Sequence, residues 1–268
     1  MYTPTNNLNL TLVQTELVWQ QAAENCAQIE KQLEGVEDTD VIVLPEMFNS
    51  GFTLDATKVA ETMQGKTVDW MCHLAEKHNA AVTGSLVIND WGNHYNRMVF
   101  AQPDGVIHYY DKRHLFRMAN EQNRYSAGHK HTVVKWRGWR IALFVCYDLR
   151  FPVWCRSRND IDLMLFVASW PGVRRHAWQQ LLIARAIENI CYVAGVNRIG
   201  TDANKIHYTG DSMLVDMLGE TTSHLKSADT VRTVTIDANA MAEFKEMFPA
   251  WMDADEFQIS GEVKNTIK

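Results

Sequence analysis

Cysteine is scarce in this chain. The five residues Cys26, Cys72, Cys146, Cys155 and Cys191 are odd in number and include no C-x-x-C pair, which disfavours a disulfide framework or a zinc ribbon and fits a reducing compartment. Metal motifs are missing as well: the ten histidines form neither H-x-x-x-H nor H-E-x-x-H, and His129 and His131 lie in a Gly- and Lys-rich stretch that reads as a surface loop. No metal site is expected. No apolar run approaches the roughly 18 residues of a membrane span, so no membrane partner is expected. The opening Met1-Tyr-Thr-Pro-Thr-Asn-Asn7 has neither the basic nor the apolar region of a signal peptide, so the expected location is cytoplasmic. A basic excess is lacking too. With 26 Lys and Arg against 32 Asp and Glu, the net charge of -6 gives no overall field for nucleic-acid phosphates, and no nucleic-acid partner is expected. Finally, no linker divides the chain, so residues 1–268 are read as a single domain.

What is present suits a large core: 46% hydrophobic and 22% charged residues. Leu8 to Gln14 alternates as a strand, followed by a helix with Ala22, Cys26, Ile29 and Leu33 on one face and Gly35 as its C-cap. Asp40-Val-Ile-Val-Leu-Pro45 has the continuous apolar run of a strand buried on both faces. Val68 to His78 reads as a second helix, and Ala80–Ile88, Asn93–Ala101 and Val106–Asp111 as a three-stranded meander. The second half repeats the alternation: strands at Thr132–Trp136 and up to Cys146, a short helix over Val153–Arg158, a strand at Asp162–Ala168, and a helix at His176–Asn189 that is either sandwiched between layers or at a subunit contact. Strands follow at Tyr192–Asn197, Met213–Val215 and Thr230–Ile236. A tail from about residue 240 carries one short helix, and its aromatics, Phe248 to Phe257, are expected to cover a partner subunit or the sheet edge, with packing on the same chain an equal alternative.

Three apolar strands end in reactive side chains: Glu46 after Val41-Ile-Val-Leu-Pro, Lys112 after Val106-Ile-His-Tyr-Tyr-Asp, and Cys146 after Ile141-Ala-Leu-Phe-Val. Singly, Glu46 reads as a solvated charge, Lys112 as part of a surface cluster and Cys146 as a packing residue. Together they supply a base, a cation and a nucleophile, and strands sharing one sheet direction would bring them to one crevice. Amide cleavage needs that set, because a poor electrophile demands an activated nucleophile, oxyanion stabilisation and proton delivery to the leaving nitrogen.

Leu44-Pro-Glu46-Met-Phe, Tyr110-Asp-Lys112-Arg-His-Leu-Phe and Cys146-Tyr-Asp-Leu-Arg-Phe-Pro resemble, in order, the three signature blocks of the nitrilase superfamily of carbon-nitrogen hydrolases. Asn120-Glu-Gln-Asn-Arg-Tyr-Ser-Ala-Gly128, Ala184-Arg-Ala-Ile-Glu-Asn189 and Gly195-Val-Asn-Arg-Ile-Gly200 extend the resemblance to almost the whole chain. It implies an α/β fold of the four-layer α-β-β-α sandwich type, a homodimer, and no metal or organic cofactor. It implies further that Cys146 attacks the carbonyl to form a thioester, Glu46 moves the protons, and Lys112 with the Tyr147 N–H stabilises the oxyanion. Glu121 matches an additional glutamate that orients Lys112 and substrate; a polar loop residue is the alternative.

Asp111-Lys-Arg-His-Leu-Phe-Arg-Met, Ser169-Trp-Pro and Phe248-Pro-Ala-Trp most resemble the bacterial omega-amidase branch, which implies a small amide substrate, 2-oxoglutaramate or 2-oxosuccinamate. The far carboxylate of such a substrate calls for an arginine fork. Arg150 is the first candidate, with a structural ion pair as the equal alternative; Arg174 and Arg175 come next, and Trp170 and Phe116 are either pocket walls or core. The competing expectations are another amidase of the superfamily, acting on deaminated glutathione, an N-carbamoyl amino acid or an aliphatic amide; a non-catalytic interaction protein; and a thiol redox or metal protein using Cys155.

Overall fold

In the first strand, β1 (Leu8–Gln14), Leu8, Leu10 and Leu12 turn to one face and Asn9 and Thr11 to the other, the two-residue period of a sheet with different neighbours on its two sides. The computed structural model describes residues 4–157 and 159–260 and the backbone of 263–264. β1 pairs in parallel with β2 (Val41–Val43), which pairs in parallel with β3 (Ala81–Asp90). The expected meander then follows antiparallel through β4 (Asn93–Ala101) and β5 (Ile107–Asp111). The short β6 (Lys130–His131) leads to β7 (Val133–Trp136) and to a second parallel triple of β8 (Trp139–Val145), β9 (Leu163–Ala168) and β10 (Tyr192–Asn197). β11 (Ile199–Thr201) and β12 (His207–Thr209) form a hairpin; β13 (Met213–Val215) and β14 (Thr221–His224) extend the second sheet; β15 (Thr230–Ile236) returns to the first; and β16 (Val263–Lys264) pairs with β6. The two six-stranded sheets run β15-β1-β2-β3-β4-β5 and β14-β13-β10-β9-β8-β7.

The inner faces share one core. Leu10, Val43, Met98 and Phe100 of the first sheet join Ile141, Leu143, Leu165 and Val167 of the second, and Phe100 meets Trp136 edge-on with ring centroids 6.5 Å apart. On the outer face of the first sheet, Ile42, Val82 and Val99 pack under helices α1 (Ala22–Gln32) and α3 (Lys66–His78), through Ile29, Met71 and Leu74. Helix α4 (Arg175–Asn189) covers β10 and β13 through Trp178 and Leu182, and α5 (Ala238–Met247) docks by Met241 and by Lys245 donating to Asp162. This is the expected α-β-β-α order. No helix among the described residues is long and apolar enough to cross a membrane.

Local expectations fail where a motif is short. A four-residue helix, α2 (Ala56–Val59), precedes α3, and the small strands β6, β11, β12 and β14 are too brief to show a period. The helix expected over Val153–Arg158 is a run of turns in which the Trp154 and Cys155 N–H groups share the Phe151 carbonyl; Arg158 lies outside the described residues. The helical turn lies earlier, a 3-10 segment over Cys146–Arg150. Leu33, not Gly35, caps α1, and Gly35 takes a positive φ of 79° in the turn that follows. In the tail, Trp251 packs on the chain's own core while Phe248 is exposed.

Candidate active site

The three reactive strand ends do meet, but not on one sheet. Glu46 and Lys112 follow β2 and β5 of the first sheet, whereas Cys146 follows β8 of the second. Convergence comes from stacking the two sheets with the carboxyl ends of their parallel triples together. The link is direct: the Ser169 N–H, just beyond β9, donates to Glu46 Oε2 at 2.8 Å, and the Ser169 hydroxyl donates to the Glu46 carbonyl at 3.2 Å.

Lys112 is 1% exposed and Glu46 and Glu121 are 0% exposed, so the readings of solvated charge, surface cluster and polar loop residue are corrected. Such burial requires pairing. Lys112 Nζ donates to Glu46 Oε1 at 2.9 Å and to both oxygens of Glu121 at 3.0 Å. Glu121 Oε2 also accepts the Phe116 N–H at 2.6 Å, closing the 3-10 loop that follows Lys112. Gly128 holds that loop against β5: its N–H donates to the Lys112 carbonyl at 2.9 Å, and a Cβ there would lie 2.0 Å from the Asp111 carbonyl oxygen. Burial works against the Lys112 charge, but Glu121 and Glu46 outweigh it and hold its pKa well above the ordinary value. Glu121 also moves up, against its charged form: burial raises its carboxyl, Lys112 lowers it, and Glu46 raises it again, with a net rise.

Cys146 stands at the turn from strand to 3-10 helix with φ 45°, a left-handed conformation that a non-glycine residue adopts only when its surroundings hold it there. The holding group is Asp148. Its Oδ2 accepts the Val145 N–H at 3.1 Å and the Tyr110 hydroxyl at 2.8 Å, and its Oδ1 accepts the His114 N–H at 2.9 Å and faces His114 Nδ1 at 2.8 Å. One buried carboxylate thereby ties the nucleophile turn to residues two before and two after Lys112. The thiol faces Glu46, and burial, with Glu46 next, pushes its pKa well above the ordinary value while Lys112 pulls the other way. The resting thiol is therefore protonated beside a carboxylate that can take its proton.

A cavity of about 70 Å³ opens on this group, and Phe116, Tyr147, Arg150, Trp170 and Arg174 all line it. Trp170 and Phe116 serve as walls and each carries a guanidinium: Arg150 lies 4.9 Å from the Trp170 ring centroid and Arg174 lies 5.3 Å from that of Phe116. Among the described residues neither arginine makes an ion pair, which removes the structural alternative for Arg150. Arg175 is different; its guanidinium pairs with Asp211 at 2.7 Å, away from the lining. Cys155 is buried and its thiol donates to the Asp148 carbonyl at 3.3 Å, a packing role.

Sequence reasoning missed several residues. Asn96 is buried and donates from Nδ2 to Glu46 Oε1 at 2.7 Å and to Glu121 Oε1 at 3.4 Å. Its signal was a polar residue at the inner alternate position of β4, in line with Met98 and Phe100. Phe52, Ile206 and Tyr208 also line the cavity, the last two from the β11–β12 hairpin, which showed no pattern of its own.

A family model described as carbon-nitrogen hydrolase matches residues 9–246. The chain is 48% identical over 256 residues to the omega-amidase YafV of Escherichia coli (strain K12), covering 94% of this chain and 98% of that relative. It is 30% identical to the 2-oxoglutaramate amidase of Bacillus subtilis (strain 168), covering 91% of this chain and 96% of that one. The crystal structure of XC1258 from Xanthomonas campestris, a CN-hydrolase superfamily protein with an arsenic adduct in its active site, superposes with a TM-score of 0.94 at 46% identity, covering 96% of this chain and 100% of that one.

Proposed function

The chain belongs to the carbon-nitrogen hydrolase family, and from that membership and the geometry around Cys146 we propose that it hydrolyses the terminal amide of a short 2-oxo dicarboxylic monoamide. The substrate is 2-oxoglutaramate or 2-oxosuccinamate, and the products are the 2-oxo acid and ammonia. The observation that carries this reading is a thiol, a carboxylate and an ammonium converging on a cavity whose walls carry Arg150 and Arg174, neither of them paired with an acid among the described residues. Relatives bearing omega-amidase and 2-oxoglutaramate amidase names support the same substrate.

In this mechanism the Cys146 sulfur attacks the amide carbon as its proton passes to Glu46. The oxyanion is met by Lys112, which has three N–H donors: one engages Glu46, one is shared by the two oxygens of Glu121, and the third is free for the oxyanion. The Tyr147 N–H is the second donor. Glu46 then delivers the proton to the leaving nitrogen, ammonia departs, and a thioester remains. Water completes the cycle by giving its proton to Glu46 as its oxygen attacks the thioester; collapse releases the acid and returns the proton to sulfur.

The direct test is ammonia release from 2-oxoglutaramate measured beside an uncharged aliphatic amide, an N-carbamoyl amino acid and deaminated glutathione. A catalytic efficiency for 2-oxoglutaramate no higher than for the others overturns the substrate assignment. Arg150→Lys keeps a charge but loses the planar fork, so KM for 2-oxoglutaramate is expected to rise about tenfold or more while KM for the uncharged amide stays nearly constant. Equal effects on both substrates would reject a carboxylate-binding role.

The raised Cys146 pKa has its own consequence. A thiol activated only as it attacks is alkylated slowly at rest, so inactivation by iodoacetamide is expected to show no thiolate titration step below about pH 9. A step near neutral pH would mean a preformed thiolate and a different activation.

A further inference from the structure

The β11–β12 hairpin has no part in the proton chemistry, yet it forms one side of the cavity. Its turn is tied down by a single carboxylate. Asp202 Oδ1 accepts the Asn204 N–H at 2.8 Å and the Ile206 N–H at 3.0 Å, while its Oδ2 accepts the Tyr208 hydroxyl at 3.0 Å. The Asp202 N–H closes the turn on the Ile206 carbonyl at 3.0 Å. Because the Tyr208 hydroxyl is engaged with Asp202, the tyrosine offers the cavity its ring. Behind that ring stands buried Arg198, its guanidinium 4.7 Å from the centroid and held by the carbonyls of Ile199 and Leu17. At the base, a Cβ on Gly172 would lie 2.7 Å from Thr209 Cγ2, so the hairpin sits directly on the Pro171-Gly172 turn. Ile206, 39% exposed at the mouth, is therefore an apolar side chain on a wall that cannot draw back.

We propose that this hairpin is the specificity-determining wall of the cavity and that Ile206 sets the length of the acyl chain presented to Cys146. The proposal rests on the amidase reading above. A substrate held at its amide carbon by Cys146 and at its far carboxylate by the arginines has a fixed span. Extra methylenes must bow sideways, and the hairpin is the side that resists. An apolar wall of this kind discriminates by roughly 10- to 200-fold per methylene.

The test measures kcat/KM for linear 2-oxo dicarboxylic monoamides of four, five and six carbons with the full-length wild type, Ile206→Ala and Ile206→Phe. Ile206→Ala is expected to raise the six-carbon to five-carbon ratio about tenfold, and Ile206→Phe to shift preference towards the four-carbon amide by a similar factor. Ratios within twofold of wild type in both variants, with five-carbon turnover persisting, overturn the wall and leave the amidase reading intact. If the wild type cleaves none of these monoamides but does cleave uncharged linear amides, the substrate reading fails and the same ratios across that series decide the wall. If it cleaves no amide, both are overturned.

Discussion

Cys146→Ala is expected to abolish ammonia release from 2-oxoglutaramate, by at least about four orders of magnitude, while the protein stays folded. The activity loss follows from the chemistry: Glu46, Lys112 and the Tyr147 N–H remain, but the lining hydroxyls of Ser169 and Tyr208 are engaged, the first by the Glu46 carbonyl and the second by Asp202, and neither is a thiol. Cys155 cannot substitute, because it lies buried behind the turn and its thiol donates to the Asp148 carbonyl. The fold survives because only one sulfur is removed, from a cavity wall, a loss of about 1 kcal/mol or less on the scale of a buried methylene. The turn itself is held by Asp148, whose bonds to Val145, Tyr110 and His114 do not involve the Cys146 side chain. The measurement pairs turnover with intact-mass analysis of acid-quenched protein. Wild type should carry an acyl adduct on Cys146 and the variant none. Residual turnover, or an adduct on another residue, would sink the thioester mechanism.

Legibility in the sequence followed the range of each interaction. The buried strands β2, β8 and β9 were readable because a doubly covered strand is continuously apolar, and the residues that end them follow at once. Arg150 and Trp170 could be placed near the site for the same reason, five and two residues after a strand end. Asp148 lies inside the same block as Cys146, but its significance is carried by Tyr110 and His114, 38 and 34 residues away. Asn96 is 50 residues from Glu46, and only the pairing of β4 with its neighbours brings it there. Nor could the strand ends say which sheet each belonged to. A crevice at the edge of one sheet and a seam between two sheets present the same local pattern, and packing of the inner faces through residues such as Phe100 and Trp136 decides between them.

That seam makes Lys112 as much a structural residue as a chemical one, and Lys112→Met is expected to damage both roles. Losing one oxyanion donor costs about 10²- to 10³-fold in kcat. Losing the only ammonium seen between two fully buried carboxylates costs about 3–5 kcal/mol of stability near neutral pH, because Glu46 and Glu121 are left facing each other without compensation. The pH dependence separates this from simple packing loss. Glu121 has its pKa raised in the folded protein by burial and by Glu46, against the lowering effect of Lys112. A carboxyl with a raised folded pKa contributes stability that is present below the ordinary carboxylate range and is lost as pH rises through the raised value. Removing Lys112 deletes the lowering contribution, raises that value further and enlarges the loss towards neutral pH. The variant's deficit against wild type, measured by urea unfolding, should therefore shrink as pH falls from about 8 to about 5 and the raised Glu121 carboxyl takes up its proton more readily. A deficit that stays constant across that range would show that Lys112 stabilises the fold through its hydrocarbon chain and not through its charge.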